Sequence, residues 1–96
     1  LSILDIPLDG RCFEDNANRI LKTHIGNFND NSKAVCIAAC EGYQYAGTQY
    51  GMECYCGDDK PDPLLERQNE CTSLCPGNAN QNCGGVMRLN IFHTGK

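Results

Sequence analysis

A run of small apolar residues rich in alanine predicts one helix over residues 32–40. Asn31 or Ser32 can cap its start, because either side chain can accept a hydrogen bond from the free amides of the first turn. The alanines that follow favour a helix, and Gly42 stands where a left-handed C-terminal cap belongs. A helix of at most three turns needs tertiary support to persist.

Alternating positions elsewhere predict short strands. Residues 10–15 and 88–92 each fit a strand, and residues 43–57 fit a β-hairpin that turns at Tyr50. Residues 76–85 are rich in Asn and Gly and predict a loop. The pattern therefore predicts an α+β composition, with one main helix, a β-hairpin and further short strands joined by loops.

Eight cysteines change this picture, because a chain of 96 residues with few other apolar side chains needs cross-links or a metal to be stable. Their even number and density are typical of an extracellular disulfide scaffold. Zinc is the alternative, but the close pairs lack the usual two-residue spacing and only two histidines are available. We therefore expect disulfides, and no metal, at Cys12, Cys36, Cys40, Cys54, Cys56, Cys71, Cys75 and Cys83.

The spacing of four cysteines predicts how the helix meets the hairpin. Cys36 and Cys40 lie one helical turn apart, about 6 Å along the axis, and Cys54 and Cys56 share one strand face at about 7 Å. Two bonds could therefore join the elements, as Cys36–Cys54 with Cys40–Cys56 or in the crossed arrangement. Tyr55 must then point away from the helix, and we expect its ring to be exposed to water.

The order of the cysteine motifs resembles that of the WSC domain over residues 10–93, nearly the whole chain. The opening fits through Gly10-x-Cys12-Phe13-x-Asp15 and Arg19-x-Leu21. The other segments in register are Cys36-x3-Cys40, Gly42-Tyr43-x-Tyr45-Ala46-Gly47, Tyr50-Gly51-x-Glu53-Cys54-Tyr55-Cys56-Gly57, Cys71-x3-Cys75 and Cys83-Gly84-Gly85.

The resemblance implies one helix against a small antiparallel sheet, held by the pairs Cys12–Cys71, Cys36–Cys54, Cys40–Cys56 and Cys75–Cys83. It also implies a secreted or cell-surface module that binds wall polysaccharides such as β-1,3-glucan. The alternative is a protein-interaction domain of an extracellular receptor or matrix protein. We predict a single domain at 10–93, with a lead-in segment at 1–9 and a tail at 94–96.

The charge pattern argues against partners that carry many negative charges. The net charge is −4 and no basic run occurs, which disfavours nucleic acids and anionic membrane surfaces. No segment approaches the roughly 20 apolar residues of a membrane span, so we expect no membrane insertion from this chain.

The chain is predicted not to be an enzyme and to need no cofactor. His24 and His93 are far apart in sequence, and paired cysteines leave no thiolate nucleophile. The neighbouring acids Asp58 and Asp59 lie in a Pro-rich loop rather than across a cleft. Acidic residues between 58 and 66 could offer oxygen ligands to calcium, but their spacing is not that of a calcium loop, and a solvated loop is favoured.

The chain has residues better suited to binding a sugar than to catalysis or to holding calcium. Aromatic rings stack on the apolar faces of sugars, while amide and carboxyl groups form hydrogen bonds with the hydroxyls. All four tyrosines lie on the predicted hairpin. We predict Tyr50, Tyr55 and Glu53 as the first candidates for contact with a ligand. Secondary candidates are Tyr43, Phe28 and Asn78.

Overall fold

The structure, a computed structural model, describes residues 8–96 and contains one α-helix and two antiparallel sheets over that range. The larger sheet has the strand order β1-β7-β3-β4-β2, and β5 pairs with β6. A 3-10 turn covers Pro63–Leu65. The elements in chain order are β1 (Arg11–Glu14), β2 (Thr23–Asn27), α1 (Lys33–Ala39), β3 (Tyr45–Gln49), β4 (Glu53–Gly57), β5 (Leu74–Cys75), β6 (Asn78–Asn82) and β7 (Arg88–His93).

The predicted helix and hairpin are both confirmed. The Ser32 hydroxyl caps α1 by accepting from the Val35 amide at 3.2 Å, and Gly42 has a φ of +95° beyond the helix end. Strands β3 and β4 pair in register on either side of the turn at Tyr50. Local capping and turn chemistry, which the sequence carries directly, therefore specify these elements.

The loop prediction for residues 76–85 is wrong, because this stretch contains β6, which pairs with the preceding strand β5 in a two-stranded sheet. Its asparagines give no apolar alternation to signal a strand, so backbone pairing and a disulfide across the hairpin define it instead. Gly77 permits a close approach to α1's start, since a Cβ there would lie 2.0 Å from the Asp30 carbonyl oxygen.

All four disulfides are present in the implied arrangement. The helix is joined to the hairpin by Cys36–Cys54 and Cys40–Cys56, which settles the pairing against the crossed alternative. These bonds lie side by side, with the sulfurs of Cys40 and Cys54 3.8 Å apart. Together with Ala46 they form the buried cluster between α1 and the sheet, which we call the helix-side cluster.

Much of the sheet face turned away from α1 is also buried, and this corrects the prediction that the Tyr55 ring is exposed. Its ring points away from the helix as expected, but it is only 6% exposed. The chain between β1 and β2 crosses this face and lays Leu21 over Gly47 and Gly57, where added Cβ atoms would lie 2.8 Å and 3.2 Å from the Leu21 methyls. This second cluster comprises Leu8, Phe13, Leu21, Tyr45, Tyr55, Leu89 and Ile91.

The chain start is described from Leu8, which is buried in the second cluster. Residues 1–7 of the predicted lead-in segment lie outside the described residues. The boundaries at 10, 93 and 94 stay predictions. Over residues 8–96 no helix has the length and apolar character needed to cross a bilayer.

Candidate functional site

A cleft of about 340 Å³ opens on the sheet face away from α1, beside the β3–β4 turn. The sheet supplies its floor, and the segments that precede β2 and β7 supply its walls. Three chain regions distant in sequence therefore build it. Its lining residues are Arg19, Gln49, Tyr50, Glu53, Tyr55, Val86 and Met87.

Tyr55 forms part of the floor, and its ring is occupied by protein contacts. His24, its cross-strand neighbour, stacks on it with ring centroids 4.7 Å apart, and the Arg19 guanidinium carbon lies 5.4 Å from the ring centroid. The Tyr55 hydroxyl donates to Glu53 Oε1 at 3.0 Å. Burial raises the pKa of the Tyr55 phenol, and the hydrogen bond to Glu53 raises it further.

A buried carboxylate organises the wall at Arg19. The Asp15 side chain is only 1% exposed, and it accepts from Arg19 Nη1 at 3.0 Å and from the Ile20 amide at 3.0 Å. In the amide orientation that satisfies both neighbours, Gln49 donates to Asp15 at 2.9 Å and accepts from Arg19 at 3.2 Å. The hydrogen bond to Asp15 raises the pKa of Arg19, so the guanidinium stays charged.

The rim is aromatic and apolar. Tyr50 is 61% exposed and Val86 is 72% exposed, so both present apolar surface to water at the edge of the cleft. Neither side chain is needed to fill the core. An exposed ring beside a polar floor provides the two kinds of contact that a ligand with both apolar and polar surface requires.

Unusual backbone conformations gather at the same cleft. Arg19, Tyr50 and Met87 have φ values of 59°, 50° and 52°, and all three are lining residues. Only two other non-glycine residues in the described range, Asp9 and Asn69, have positive φ. A side chain in this region costs of order 1 kcal/mol or more, and such residues cluster at functional sites.

The structure brings together three of the six predicted binding residues, namely Tyr50, Glu53 and Tyr55. Tyr43 and Phe28 instead pack against the helix-side cluster, on the opposite face of the sheet.

Asn78 lies on β6, and its side-chain oxygen accepts from the Asn80 amide at 3.0 Å in a local turn. These three therefore do not line the cleft.

Sequence reasoning missed four cleft residues: Arg19, Gln49, Val86 and Met87. The sequence points to Arg19 only through the family motif, although its spacing of four from Asp15 is a signal for an ion pair. The exposure of Val86, which follows two glycines, had no sequence signal.

Chemistry at the cysteine cluster is restricted by the disulfides. The sulfurs of Cys36, Cys40 and Cys54 lie within 4.8 Å of one another, a separation that could suit a metal ion. All eight sulfurs are joined in pairs, so no thiolate is left to bind zinc or to act as a nucleophile.

Four disulfides, a single helix bonded to an antiparallel sheet and an open cleft on the far face define a small extracellular-type module, because disulfides persist in oxidising compartments. The WSC domain family model matches residues 10–85. The chain therefore belongs to the WSC domain family.

Known relatives come from animals and fungi. Xylosyltransferase oxt of Drosophila melanogaster is 40% identical over 89 residues, which cover 88% of this chain and 10% of the relative. A WSC domain-containing protein of Arthroderma benhamiae is 33% identical, covering 96% of this chain and 13% of the relative. Kremen protein 2 of Homo sapiens is 34% identical, covering 84% and 19%. The chain thus spans a small fraction of these relatives' lengths.

Proposed function

We propose that this domain is a non-catalytic, extracellular carbohydrate-binding module that holds a polysaccharide in the cleft beside Tyr50. The observation that supports this most strongly is the exposed Tyr50 ring beside a floor of charged and amide groups. Sugar rings present apolar C–H faces to an aromatic ring and hydroxyls to polar side chains, so this combination suits them.

Tyr50 and Tyr55 have different roles in this proposal. Tyr50 stacks on a sugar ring, because most of its surface is exposed at the turn. Tyr55 does not stack, since His24 and Arg19 already occupy its surroundings. It instead fixes the Glu53 carboxylate at the cleft floor through its hydroxyl.

An open cleft of this size contacts few sugar units, so we expect weak binding by one domain. Affinity for an insoluble wall polymer such as β-1,3-glucan would then depend on several linked copies or on a larger parent protein. The names of the xylosyltransferase relatives are compatible with a sugar-binding accessory module. We assign their transferase activity to the other nine-tenths of those proteins, outside the part that this chain matches.

Retention on insoluble β-1,3-glucan, xylan and chitin tests the proposal. We expect the wild-type domain to sediment with at least one polymer and Tyr50→Ala to lose most of that retention. Leu64→Ala is the matched control, because Leu64 is an exposed apolar residue outside the cleft. Failure of the wild-type domain to bind any of the three polymers would contradict the proposal.

A protein partner is the second candidate, and the exposed apolar rim favours it. Leu74 is exposed as well, and its carbonyl lies near the turn, 3.3 Å from the position of a Cβ at Gly51. Tyr50, Leu74 and Val86 would then form the apolar contact surface for an extracellular protein. This alternative predicts that Leu74→Ala weakens the interaction, whereas sugar binding in the cleft should be insensitive to it.

A further inference from the structure

We infer that Arg19 and Glu53 together recognise neighbouring neutral hydroxyl groups, so that the cleft accepts uncharged polysaccharides and rejects acidic ones. This inference rests on the proposed function and adds a ligand class and two specificity-determining residues to it. It follows from which hydrogen-bonding atoms of the two side chains are already used within the domain.

Arg19 supplies the donors. Its Nη1 atom is engaged by Asp15 at 3.0 Å, whereas neither Nε nor Nη2 has a hydrogen-bond partner among residues 8–96. The side chain is 37% exposed and lines the cleft. A guanidinium is planar and rigid, so its two unused nitrogens present a fork that can reach two adjacent ligand oxygens.

Glu53 supplies the acceptor. Its Oε1 atom accepts from the Tyr55 hydroxyl at 3.0 Å, while Oε2 has no partner within the described part of the chain. Glu53 is half-buried and lines the same cleft as Arg19. A ligand must therefore both accept from Arg19 and donate to Glu53, and a hydroxyl group can do both.

Charge separates neutral from acidic ligands. Arg19 and Glu53 line the cleft, and Arg19 is already paired with Asp15, which is buried behind it, so the charges of these three groups sum to about −1. An ionised carboxylate or sulfate could accept from Arg19 but could not donate to Glu53, and it would meet a like charge there. A uronate or sulfated sugar is therefore disfavoured.

Asp15 is the positioning residue for this arrangement. It holds the Arg19 guanidinium and the Ile20 amide while its own carboxylate is shielded from water. Arg19 is thereby fixed before a ligand arrives, which reduces the entropy cost of binding.

Sedimentation with paired polymers tests the inference. The probes are the polymer retained among β-1,3-glucan, xylan and chitin, and the carboxymethylated form of that same polymer. We expect the wild-type domain to prefer the neutral form by roughly tenfold, the scale of a charged hydrogen bond. Arg19→Lys, which keeps the charge but removes the fork, should lower retention on the neutral polymer by roughly tenfold.

Glu53→Gln gives a gain of binding that a loss of structure could not produce. Its amide oxygen still accepts from Tyr55, but the negative charge is gone. Retention on the carboxymethylated polymer should therefore rise by at least about threefold.

Arg67→Lys is the matched control, because Arg67 is a half-exposed arginine paired with Glu14 at 3.0 Å outside the cleft. It should bind as the wild type does. If the wild-type domain is retained but Arg19→Lys binds equally well, this inference is wrong while the proposed function stands. The same holds if Glu53→Gln keeps the polymer preference of the wild type. Absence of wild-type retention on every polymer would overturn the proposed function as well.

Discussion

The two faces of the main sheet are held by different forces. On the helix side, Cys36–Cys54 and Cys40–Cys56 bond α1 to β4 around the small residue Ala46. On the far side, apolar side chains pack without any cross-link, and Leu21 covers the sheet from a loop.

This difference explains where a binding site can form. The helix side has its contacts fixed by covalent bonds, and it carries no exposed aromatic residue of the hairpin. The far side is built from a crossing loop that leaves part of the sheet open beside Tyr50. The disulfides on the helix side contribute stability to the whole domain. The far side can therefore expose an apolar rim and hold residues in backbone conformations that cost free energy.

Removing a helix-side disulfide should have the largest effect. The double variant Cys40→Ala with Cys56→Ala opens a loop of sequence separation 16, and we expect the free energy of unfolding to fall by about 3–5 kcal/mol. Chemical denaturation measures this change. The fraction that remains folded should bind polysaccharide normally, because the cleft lies on the opposite face. A decrease of less than about 1 kcal/mol in the free energy of unfolding would contradict the claim that this disulfide stabilises the helix side.

Truncating Leu21 should destabilise the far face by nearly as much. Leu21→Ala removes a fully buried side chain, and we expect a loss of about 3 kcal/mol in thermal or chemical unfolding. Gly47→Ala should also destabilise the domain, by about 1–3 kcal/mol, because the new methyl would lie 2.8 Å from a Leu21 methyl. The double variant should lose less free energy of unfolding than the two single variants together, because Leu21→Ala removes the methyl that the new side chain at position 47 would meet. Strict additivity would contradict the packing described here.

Tyr55→Phe should have a smaller effect that depends on pH. Loss of the hydroxyl bond to Glu53 should cost about 1 kcal/mol near neutral pH. Because the folded-state pKa of Tyr55 lies above its ordinary value of 10.0, the unfolded chain ionises first as pH rises. The stabilisation from this phenol is therefore fully present below about pH 10, the pKa of an unfolded tyrosine, and is lost as the pH rises from there through the higher folded-state pKa.

Comparison of Tyr55→Phe with the wild type in unfolding experiments from neutral to alkaline pH measures this effect. Tyr43→Phe is the control, and it should keep the wild-type decline. An identical alkaline decline in Tyr55→Phe would contradict the role given to the phenol.

Tyr50→Gly should change stability least and binding most. Tyr50 has a φ of 50°, so glycine relieves backbone strain at an exposed position, and we expect a change between zero and a gain of about 1 kcal/mol. Retention on polysaccharide should be lost. A clear drop in stability would mean that Tyr50 serves the fold rather than a ligand.

The parts of the fold that the sequence predicted depend on short-range spacing. Ser32 and Gly42 mark the helix ends, and the i, i+4 cysteines of α1 match the i, i+2 cysteines of β4. Each of these spacings is measured within one element or at its ends, so capping rules and side-chain periodicity suffice to predict it.

The parts that could not be predicted depend on contacts between distant segments. Alternation predicts that Tyr55 lies on the face away from α1, but the burial of its ring depends on segments distant in sequence, because His24 of β2 stacks on it and the Arg19 guanidinium lies 5.4 Å from its centroid. Likewise, the cleft joins Arg19, Glu53 and Met87 from three separate regions, and no local pattern links them.

The most direct test of the account is an NMR titration of the isotope-labelled domain with a soluble oligosaccharide of the polymer that it retains. We predict that amide signals of the cleft residues around Arg19, Tyr50 and Glu53 shift on binding while those of α1 stay unchanged. Shifts centred on α1, or on Tyr43 and Phe28 at the helix-side cluster, would contradict the claim that the face away from the helix binds the ligand.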